Sequence, residues 1–415
     1  MTIYTPDRAG RRPAVAFVFI VVMLDMMTVG ITAPVLPGLI TQLLHGNAAR
    51  AAGYFGGFAA IWAVMQFFAA PIIGSLSDRF GRRPVLLASM FGLGADYVVM
   101  ALAPTIGWLL IGRIISGITS ATYSTANAYI ADVTPPEERA ARFGLLGAAF
   151  GIGFVAGPAI GGLLGLVDPR LPFWGAAAVC LANGLYGLFV VPESLSPENR
   201  SPFSFKVANP VGSFDLYRSA QGLLNLAGVV FLYDLAHQVL QSTWALYGAY
   251  RYHWTPAMIG VSLAVVGVMS VVVQMFVVRR FVERFGERGA LYSGLVFGAI
   301  GFAIYGLAPM GWMFIAGIPV FSLMSLLTPG VQGLMSRGVP ANQQGRLQGA
   351  NGSLMAIASV FGPLLFTQVF AHTITTWSAL APVGLPFYLA AALMGLALLL
   401  AASARSSAEP VGQAG

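Results

Sequence analysis

The sequence is poor in charged residues, cysteine and histidine. Only 9% of its 415 residues are Asp, Glu, Lys or Arg, whereas 57% are hydrophobic. A soluble protein of this length could not bury so large an apolar excess. The single cysteine, Cys180, excludes an intrachain disulfide and a thiolate metal site. These proportions predict a membrane protein.

The sequence also offers little for catalysis or for cofactor binding. Its four histidines are scattered without metal-ligand spacing. We recognise no nucleophile–base set and no phosphate-binding glycine loop. We therefore predict no enzyme activity, no metal and no cofactor. Basic residues do not interleave with aromatic residues, so the net charge of +7 predicts contact with anionic lipid headgroups rather than with nucleic acid.

Apolar stretches long enough to cross about 30 Å of hydrocarbon as helices recur along the chain. In the first half they lie near 13–37, 51–74, 85–104, 107–130, 140–165 and 172–192. In the second half they lie near 218–247, 256–278, 289–308, 311–334, 346–371 and 378–402. We therefore predict an all-α membrane protein with twelve transmembrane helices.

An internal repeat divides these helices into two sets of six. The dipeptide Gly157-Pro158 recurs 205 residues later as Gly362-Pro363, and the charged loop that begins at Asp78 recurs with the same shift at Glu283. Duplicated membrane halves are typical of secondary transporters, so we predict two pseudo-symmetric six-helix bundles. The predicted boundaries are 1–192 for the N-terminal bundle, 193–217 for a cytoplasmic linker and 218–415 for the C-terminal bundle with a short disordered tail.

The basic residues predict the orientation in the membrane. The first apolar run is too long for a cleavable signal peptide and contains Asp25, so we interpret it as a retained helix. A cytoplasmic N-terminus leaves only Arg50, Arg170 and Arg251 facing outward, which agrees with the positive-inside rule. We predict a bacterial inner-membrane protein with both termini in the cytoplasm.

Three acidic residues lie inside predicted helices: Asp25 in the first, Asp96 in the third and Asp234 in the seventh. An ionised carboxylate at the centre of a bilayer costs about 2.5–3.5 kcal/mol on insertion scales, so it needs a partner, a wet cavity or a proton. Arg113 in the fourth helix cannot lose its charge, and we expect it to pair with Asp25 or Asp96. These groups predict proton coupling. A permanent ion pair that only orients helices is the alternative.

Asp234 and His237 are three residues apart and therefore share one helix face. Gln238 and Gln241 continue this polar stripe. The pattern predicts the lining of a cavity with a titratable site, and hydrogen bonding between helices is the alternative. Other polar or aromatic side chains that we predict to line the cavity are Gln66, Tyr97, Asn127, Ser270 and Gln274.

The charged loop between the second and third predicted helices combines an acid with several arginines. We predict that it forms a latch between helices that opens in one conformation, and that Asp78 caps the third helix. A loop that only orients the protein is the alternative. The predicted gating residues are Asp78, Arg79, Gly81, Arg82, Arg83 and Asp132, together with Glu283 and Arg284 of the second copy.

Small residues and a proline punctuate the fifth predicted helix. Gly153, Gly157 and Gly161 have the spacing that lets two helix backbones approach closely. Pro158 predicts a kink at the same place.

These motifs resemble those of the major facilitator superfamily, and within it the drug/proton antiporters with twelve helices. The segment 74–84 is similar to the loop signature of the superfamily, and 153–162 is similar to the Gly-Pro motif of the antiporters. Over nearly the whole chain the sequence resembles bacterial tetracycline efflux proteins. The segments that carry this likeness are 24–25, 34–39, 95–97, 112–114, 128–132 and 344–349.

The resemblance implies roles for single residues. It makes Asp25 and Asp96 the essential acids of the N-terminal half, with Arg113 as their basic partner, Gln66 as a cavity residue, and Asp78 and Arg79 as the gate.

The C-terminal half departs from the family pattern. Ser270 and Gly298 stand where the tetracycline pumps carry a proton-linked histidine and an acid, and Asp234 stands where they tend to have glutamine. We therefore predict that the coupling acid of this half lies in the seventh helix.

Taken together, the sequence predicts a proton-coupled antiporter that exports small amphipathic molecules by alternating access, with tetracycline-like drugs as the first candidates. The expected partners are a drug-like substrate, protons and the lipid bilayer, and we expect a monomer. Two alternatives stay open. The chain could be a proton symporter or uniporter for a small metabolite, or a receptor of transporter fold that moves nothing.

Overall fold

The computed structural model describes residues 8–120, 122–135, 139–200, 217, 222–339, 344–378 and 382–406, and these residues form helices and connections without a strand. The helices of the first half are α1 (Arg8–Thr32), α2 (Leu36–Leu43), α3 (Ala48–Phe80), α4 (Arg82–Leu102), α5 (Ile106–Thr119), α6 (Thr122–Val133), α7 (Arg139–Val167) and α8 (Leu171–Val190). Those of the second half are α9 (Leu223–Tyr252), α10 (Pro256–Val272), α11 (Arg279–Leu307), α12 (Gly311–Ala316), α13 (Ile318–Ser322), α14 (Leu327–Arg337), α15 (Gln344–Thr373) and α16 (Leu385–Ser406).

Ten helical stretches within the described residues are long and apolar enough to cross a membrane. One of them, Pro256–Leu307, has 52 residues, which at about 1.5 Å per residue is far longer than a bilayer is thick. It contains two of the predicted spans and is broken at Gly286, whose φ is 70°. The predicted span 107–130 is divided between α5 and α6. Helices therefore lie on all twelve predicted spans.

The chain forms two compact units. Unit 1 comprises Met1–Gly46, Ile61–Ala208 and Trp254–Ala264, and unit 2 comprises Asn47–Ala60, Asn209–His253 and Val265–Gly415. Each unit thus contains most of one sequence half together with a short segment that begins a helix of the other half. The predicted domain boundaries remain a prediction.

In unit 1, glycines bring α1 and α7 into backbone contact. A methyl group on Gly30 would lie 2.7 Å from Pro158 Cδ and 2.9 Å from Gly157 Cα. Side chains on Gly153 or Gly161 would likewise overlap the backbone of α1. Because no side chains separate the two backbones at these glycines, α1 and α7 make extensive van der Waals contact. The glycines therefore fix the position of α1 against α7.

Near each Gly-Pro motif, the proline-containing helix packs against the beginning of a helix from the other half of the sequence. Within unit 1, a methyl group on Gly162 would lie 2.7 Å from the Pro256 carbonyl oxygen and 2.9 Å from Ala257 Cα. Within unit 2, a methyl group on Gly56 would lie 2.9 Å from the Pro363 carbonyl oxygen. Glycines therefore bring the first turns of α10 and of α3 close to the proline-containing helices.

Aromatic rings fill the interior of unit 2 between α9, α11, α12 and α16. The Tyr305 and Phe314 rings are stacked with centroids 4.5 Å apart, and Trp244 packs edge-on against Tyr305 at 5.3 Å. The Tyr247 and Phe387 centroids are 5.0 Å apart. Such pairs stabilise a core beyond the area they bury, so this cluster holds the helix that carries Asp234.

Candidate functional site

Asp25 lies on α1 in the interior of unit 1, where only 4% of the residue is exposed. Its Oδ1 accepts a hydrogen bond of 3.3 Å from the Thr122 hydroxyl on α6. Within the described part of the chain, this neutral hydroxyl is the one hydrogen-bond donor to this carboxyl group inside a membrane span. The arrangement suits a group that alternates between charged and neutral forms.

Asp96 on α4 is fully buried and lies 3.7 Å from Arg113 Nη2 on α5. Among the described residues neither carboxylate oxygen has a hydrogen-bond partner, because the Ser116 hydroxyl beside it donates to the Arg113 carbonyl oxygen at 3.3 Å. Arg113 Nη2 donates to Met100 Sδ at 3.0 Å. The structure thus pairs Arg113 with Asp96 rather than with Asp25, and the ion pair is long.

Gly112 makes room for Asp96. A methyl group at this position would lie 2.5 Å from Asp96 Oδ1 and 2.8 Å from Met100 Cγ. The carboxylate can therefore sit against the backbone of α5 only because residue 112 has no side chain.

Hydroxyl and thiol groups lie between the two acids of unit 1. The Thr28 hydroxyl donates to the Asp25 carbonyl oxygen at 2.7 Å, and Cys180 Sγ lies 3.6 Å from Thr28 Oγ1. Tyr97, which neighbours Asp96 in the sequence, is only 3% exposed and meets the same threonine. Asp25 and Asp96 consequently belong to one polar cluster, and Tyr97 is part of it.

In unit 2, Asp234 and His237 are half-buried on α9, and the His237 and Tyr233 rings are 5.9 Å apart. Asp234 forms no ion pair or hydrogen bond with another described residue. The Tyr217 hydroxyl, which lies near Asp234, donates to Asn351 Oδ1 at 2.8 Å. Among the described residues of the second half, Asp234 thus has aromatic neighbours but no arginine partner such as Asp96 has in the first half.

The other predicted cavity residues differ in exposure. Gln238 is buried and donates to the Ser359 hydroxyl at 3.0 Å, so it connects α9 to α15. Gln274 is exposed in the π-helical stretch Val273–Val278, a distortion that often marks functional sites. Of the remaining four, Gln66, Asn127 and Ser270 are half-buried and Gln241 is exposed.

Most residues of the predicted latch meet in unit 1 around Arg82, which forms two ion pairs. Arg82 Nη1 lies 2.6 Å from Asp78 Oδ1, and Arg82 Nε lies 3.0 Å from Asp132 Oδ2 at the end of α6. Arg83 donates to the Leu188 carbonyl oxygen, and the Arg79 guanidinium lies 5.1 Å from the Phe80 ring centroid. The loop between α3 and α4 is therefore tied to both α6 and α8.

Glu193, which the sequence did not single out, also holds this loop. Its carboxylate accepts hydrogen bonds from the backbone amides of Arg82 at 2.8 Å and of Arg83 at 3.3 Å. Gly81 has a φ of 106°, and a side chain there would overlap Glu193. The prediction that Asp78 caps this helix is wrong. Asp78 lies in the last turn of α3, which ends at Phe80, and the first amide of α4 donates instead to Glu193, 111 residues along the chain. The only signal in the sequence was an isolated acid at the end of an apolar run.

In the second copy of the loop, Glu283 and Arg284 have local partners. Glu283 Oε1 lies 2.7 Å from Arg279 Nε on the same helix, and the Arg284 guanidinium lies 5.6 Å from the Phe285 ring centroid. Neither contact joins this loop to another helix.

Comparison with known proteins identifies the family. The model of the Major Facilitator Superfamily matches residues 18–363 and again 226–413. The chain belongs to the major facilitator superfamily. As a member it is a multi-pass membrane transporter rather than an enzyme, and the predicted twelve-helix fold is confirmed.

Several curated relatives within this superfamily are similar over most of the chain. The class C tetracycline resistance protein of Escherichia coli is 42% identical over 375 residues, which cover 89% of this chain and 92% of that protein. The class G protein of Vibrio anguillarum is 38% identical, with 88% and 93% covered. The predicted resemblance to the tetracycline efflux proteins is thereby confirmed.

Solved structures of superfamily members share the fold. The nucleoside transporter NupG aligns with a TM-score of 0.76 at 12% identity, covering 96% of this chain and 99% of that chain. The human organic anion transporter MFSD10 aligns with a TM-score of 0.69 at 24% identity, covering 94% and 99%. At such identities the likeness concerns the fold alone.

Proposed function

We propose that this superfamily member is a proton-coupled antiporter that exports small amphipathic molecules, tetracyclines among them, by alternating access. The observation that carries the proposal is Asp96, a fully buried carboxyl group whose one charged partner among the described residues, Arg113, is 3.7 Å away. The names of the class C and class G relatives, both tetracycline resistance proteins, support the class of substrate.

In this proposal, protonation of Asp96 changes how α4 and α5 are held together. The charged form attracts Arg113, whereas the neutral form leaves Arg113 to other acceptors. Asp25 shares the same polar cluster, so a proton that enters it alters the contact between α1 and α6 as well. Proton uptake thereby becomes a change in helix packing, which is what alternating access requires.

For the second half we propose that Asp234 and His237 form another titratable site. The half-buried Asp234 lies near Tyr217 and Tyr233, and the described residues give it no ion-pair partner. The polar residues Gln238, Gln241, Ser270 and Gln274 complete the proposed lining. The latch around Arg82 is the proposed gate, on the cytoplasmic side of a bacterial inner membrane, with both chain termini on that side.

Transport assays in everted membrane vesicles test the proposal. Addition of tetracycline to vesicles that contain the protein should dissipate an imposed pH gradient, and a protonophore should abolish tetracycline accumulation. We expect Asp25→Asn to keep downhill exchange but to lose uphill accumulation, because a neutral amide cannot carry a proton. Asp234→Asn should have the same effect if the second site is also coupled.

Asp168→Asn is the matched control. This acid lies in the connection between α7 and α8 and accepts a hydrogen bond of 2.7 Å from the Arg170 amide. It should retain full coupling. Tetracycline accumulation that is indifferent to the protonophore would refute proton coupling, and an uncoupled Asp168→Asn variant would refute the assignment to the intramembrane acids.

A further inference from the structure

The turn between α3 and α4 of unit 1 has a structural counterpart in unit 2. Residues 78–83 align with residues 283–288 at the shift of 205. The two turns also agree in backbone, since Gly81 and Gly286 have φ values of 106° and 70°, in the region that favours glycine. Only one position differs in charge. The residue after the glycine is Arg82 in the first copy and Glu287 in the second.

Each of these two residues forms an ion pair with the end of another helix in its own unit. Arg82 Nε is 3.0 Å from Asp132 Oδ2 on α6, and Glu287 Oε1 is 2.8 Å from Arg337 Nη2 on α14. Asp132 and Arg337 are themselves related by the shift of 205. The same bridge therefore joins equivalent positions in both units, with the two charges exchanged.

Two glycines of α14 leave room for Glu287 in unit 2. A methyl group on Gly333 of α14 would lie 2.6 Å from Glu287 Oε1, and one on Gly330 would lie 2.7 Å from the Glu287 carbonyl oxygen. The Glu287 side chain is 19% exposed, and its Oε2 is buried without a hydrogen-bond partner among the described residues. Arg337 is itself 76% exposed, but its loss would leave a half-buried carboxylate without this counter-charge, which costs more than loss of a pair that is exposed on both sides.

The other acid of the second turn lacks these properties. Glu283 and its partner Arg279 are 59% and 85% exposed and lie one helical turn apart. Such pairs contribute little. In the first copy Asp78 forms an ion pair with Arg82. Glu283 cannot form the equivalent pair with residue 287, because Glu287 is also negatively charged. The Arg279–Glu283 pair therefore does not hold the turn against α14.

We propose that Glu287 and Arg337 are positioning residues of unit 2, equivalent to Arg82 and Asp132 of unit 1. Transport requires opposite charges at positions 287 and 337, but either position can carry the positive charge. The pair holds the turn at Gly286 against the end of α14. This inference rests on the proposed transport function.

The transport arm of the test uses four variants at equal amounts of inserted protein. Glu287→Gln and Arg337→Gln should lower the kcat of uphill tetracycline uptake into everted vesicles about tenfold with KM near the wild-type value. The reversal Glu287→Lys/Arg337→Glu, which gives unit 2 the polarity of unit 1, should return kcat to within about twofold. Arg279→Gln removes an arginine and an ion pair from the same loop, and should leave uptake unchanged.

A second arm does not depend on transport. Ala290, three residues after Glu287, is fully buried. In a Cys180→Ser background, Ala290→Cys should react with a maleimide only when the helical segment that follows the turn loses its packing, so its alkylation reports release of the turn. We expect alkylation to be about tenfold faster with Arg337→Gln, and unchanged with Arg279→Gln or with the reversal.

The two arms separate the possible failures. Absence of uphill uptake by the wild type would refute the proposed function, and the alkylation rates would still decide whether the pair holds the turn. Equal behaviour of Arg337→Gln and Arg279→Gln in both arms would overturn the inference. The inference would also be overturned if the kcat of the reversal Glu287→Lys/Arg337→Glu were as low as that of the single variants. Less inserted Arg337→Gln protein with an unchanged kcat would show a purely structural role and also overturn it.

Discussion

At the scale of single residues, the acids inside the membrane were evident from the sequence but their partners were not. Asp25 and Asp96 are conspicuous because few charges interrupt the apolar runs. The choice of Arg113's partner depended on the rotation of α4 relative to α5, which hydrophobic periodicity does not determine. Glu193 escaped detection for another reason. Its hydrogen-bond donors are backbone amides more than a hundred residues away. Because every residue type except proline has such an amide, the sequence does not indicate which amides Glu193 binds.

The absence of a side chain at residue 112 has a measurable consequence. Gly112→Ala places a methyl group 2.5 Å from Asp96 Oδ1, so Asp96 and Arg113 must move apart or shift together. We expect uphill tetracycline uptake to fall by about 10–100-fold, because small displacements of reacting groups have effects of this size. Vesicle uptake at equal protein amounts measures it.

Gly107→Ala is the control in the same helix. The nearest atom to a methyl group there, Thr105 Oγ1, is 3.8 Å away, which is ordinary contact. Uptake by this variant should equal that of the wild type. If Gly112→Ala also transported normally, the packing of Asp96 against α5 would have no part in coupling.

At the scale of helices, hydrophobic runs located the spans well but not their interruptions. The predicted span 256–278 ends in a π-helical stretch, and the tenth span consists of α12, α13, a 3-10 turn at Leu323–Leu326 and α14. Both remain predominantly apolar, so hydropathy does not register the interruptions, although Gly317 and Pro319 stand where α12 gives way to α13. Glycine spacing was more informative, since the pattern in the fifth predicted helix indicated the close approach that α7 makes to α1.

This approach predicts a position-specific loss of stability along α7. Gly157→Ala puts a methyl group into the backbone of α1, 2.7 Å from Gly30 Cα. We expect the free energy of unfolding to fall by about 1–3 kcal/mol, as for other overpacked interiors. Thermal unfolding of the purified protein in detergent measures the change.

Gly147→Ala on the same helix provides the comparison. A methyl group at this exposed position has no neighbour within 4 Å, and alanine favours the helix more than glycine does. Its melting temperature should equal or exceed that of the wild type. Equal melting temperatures for both variants would mean that α1 and α7 separate more readily than their contacts indicate.

At the scale of the whole molecule, the internal repeat with its shift of 205 residues made the two-bundle architecture predictable from the sequence. The same repeat contains one ion pair that the sequence comparison did not reveal. Gly157-Pro158 and Gly362-Pro363 align by residue type, so the repeat was visible. The Glu287–Arg337 bridge was hidden, because exchanged charges lower the similarity of the two copies while keeping their physical relation. A repeat can thus conserve an interaction without conserving the residues that form it.

The composition of the two units makes a last prediction about assembly. Unit 1 includes Trp254–Ala264 from the second sequence half, and unit 2 includes Asn47–Ala60 from the first. A chain that ends after residue 200 therefore lacks a part of unit 1, including Gly260, which contacts the Pro158 carbonyl oxygen. We expect the halves 1–200 and 201–415 to be degraded when expressed separately in a bacterial membrane, and to accumulate and transport when expressed together.

Substitutions in the C-terminal half test the reason for this dependence. Gly260→Val should reduce recovery of the co-expressed halves, because a side chain there meets the backbone of α7. Gly395→Val should not, since a Cβ atom at residue 395 has no neighbour within 4 Å and opens into free space. Quantitative blotting of each half measures recovery. A 1–200 fragment that persists alone as long as the intact chain would contradict the prediction, because unit 1 would then be complete without the first turns of α10.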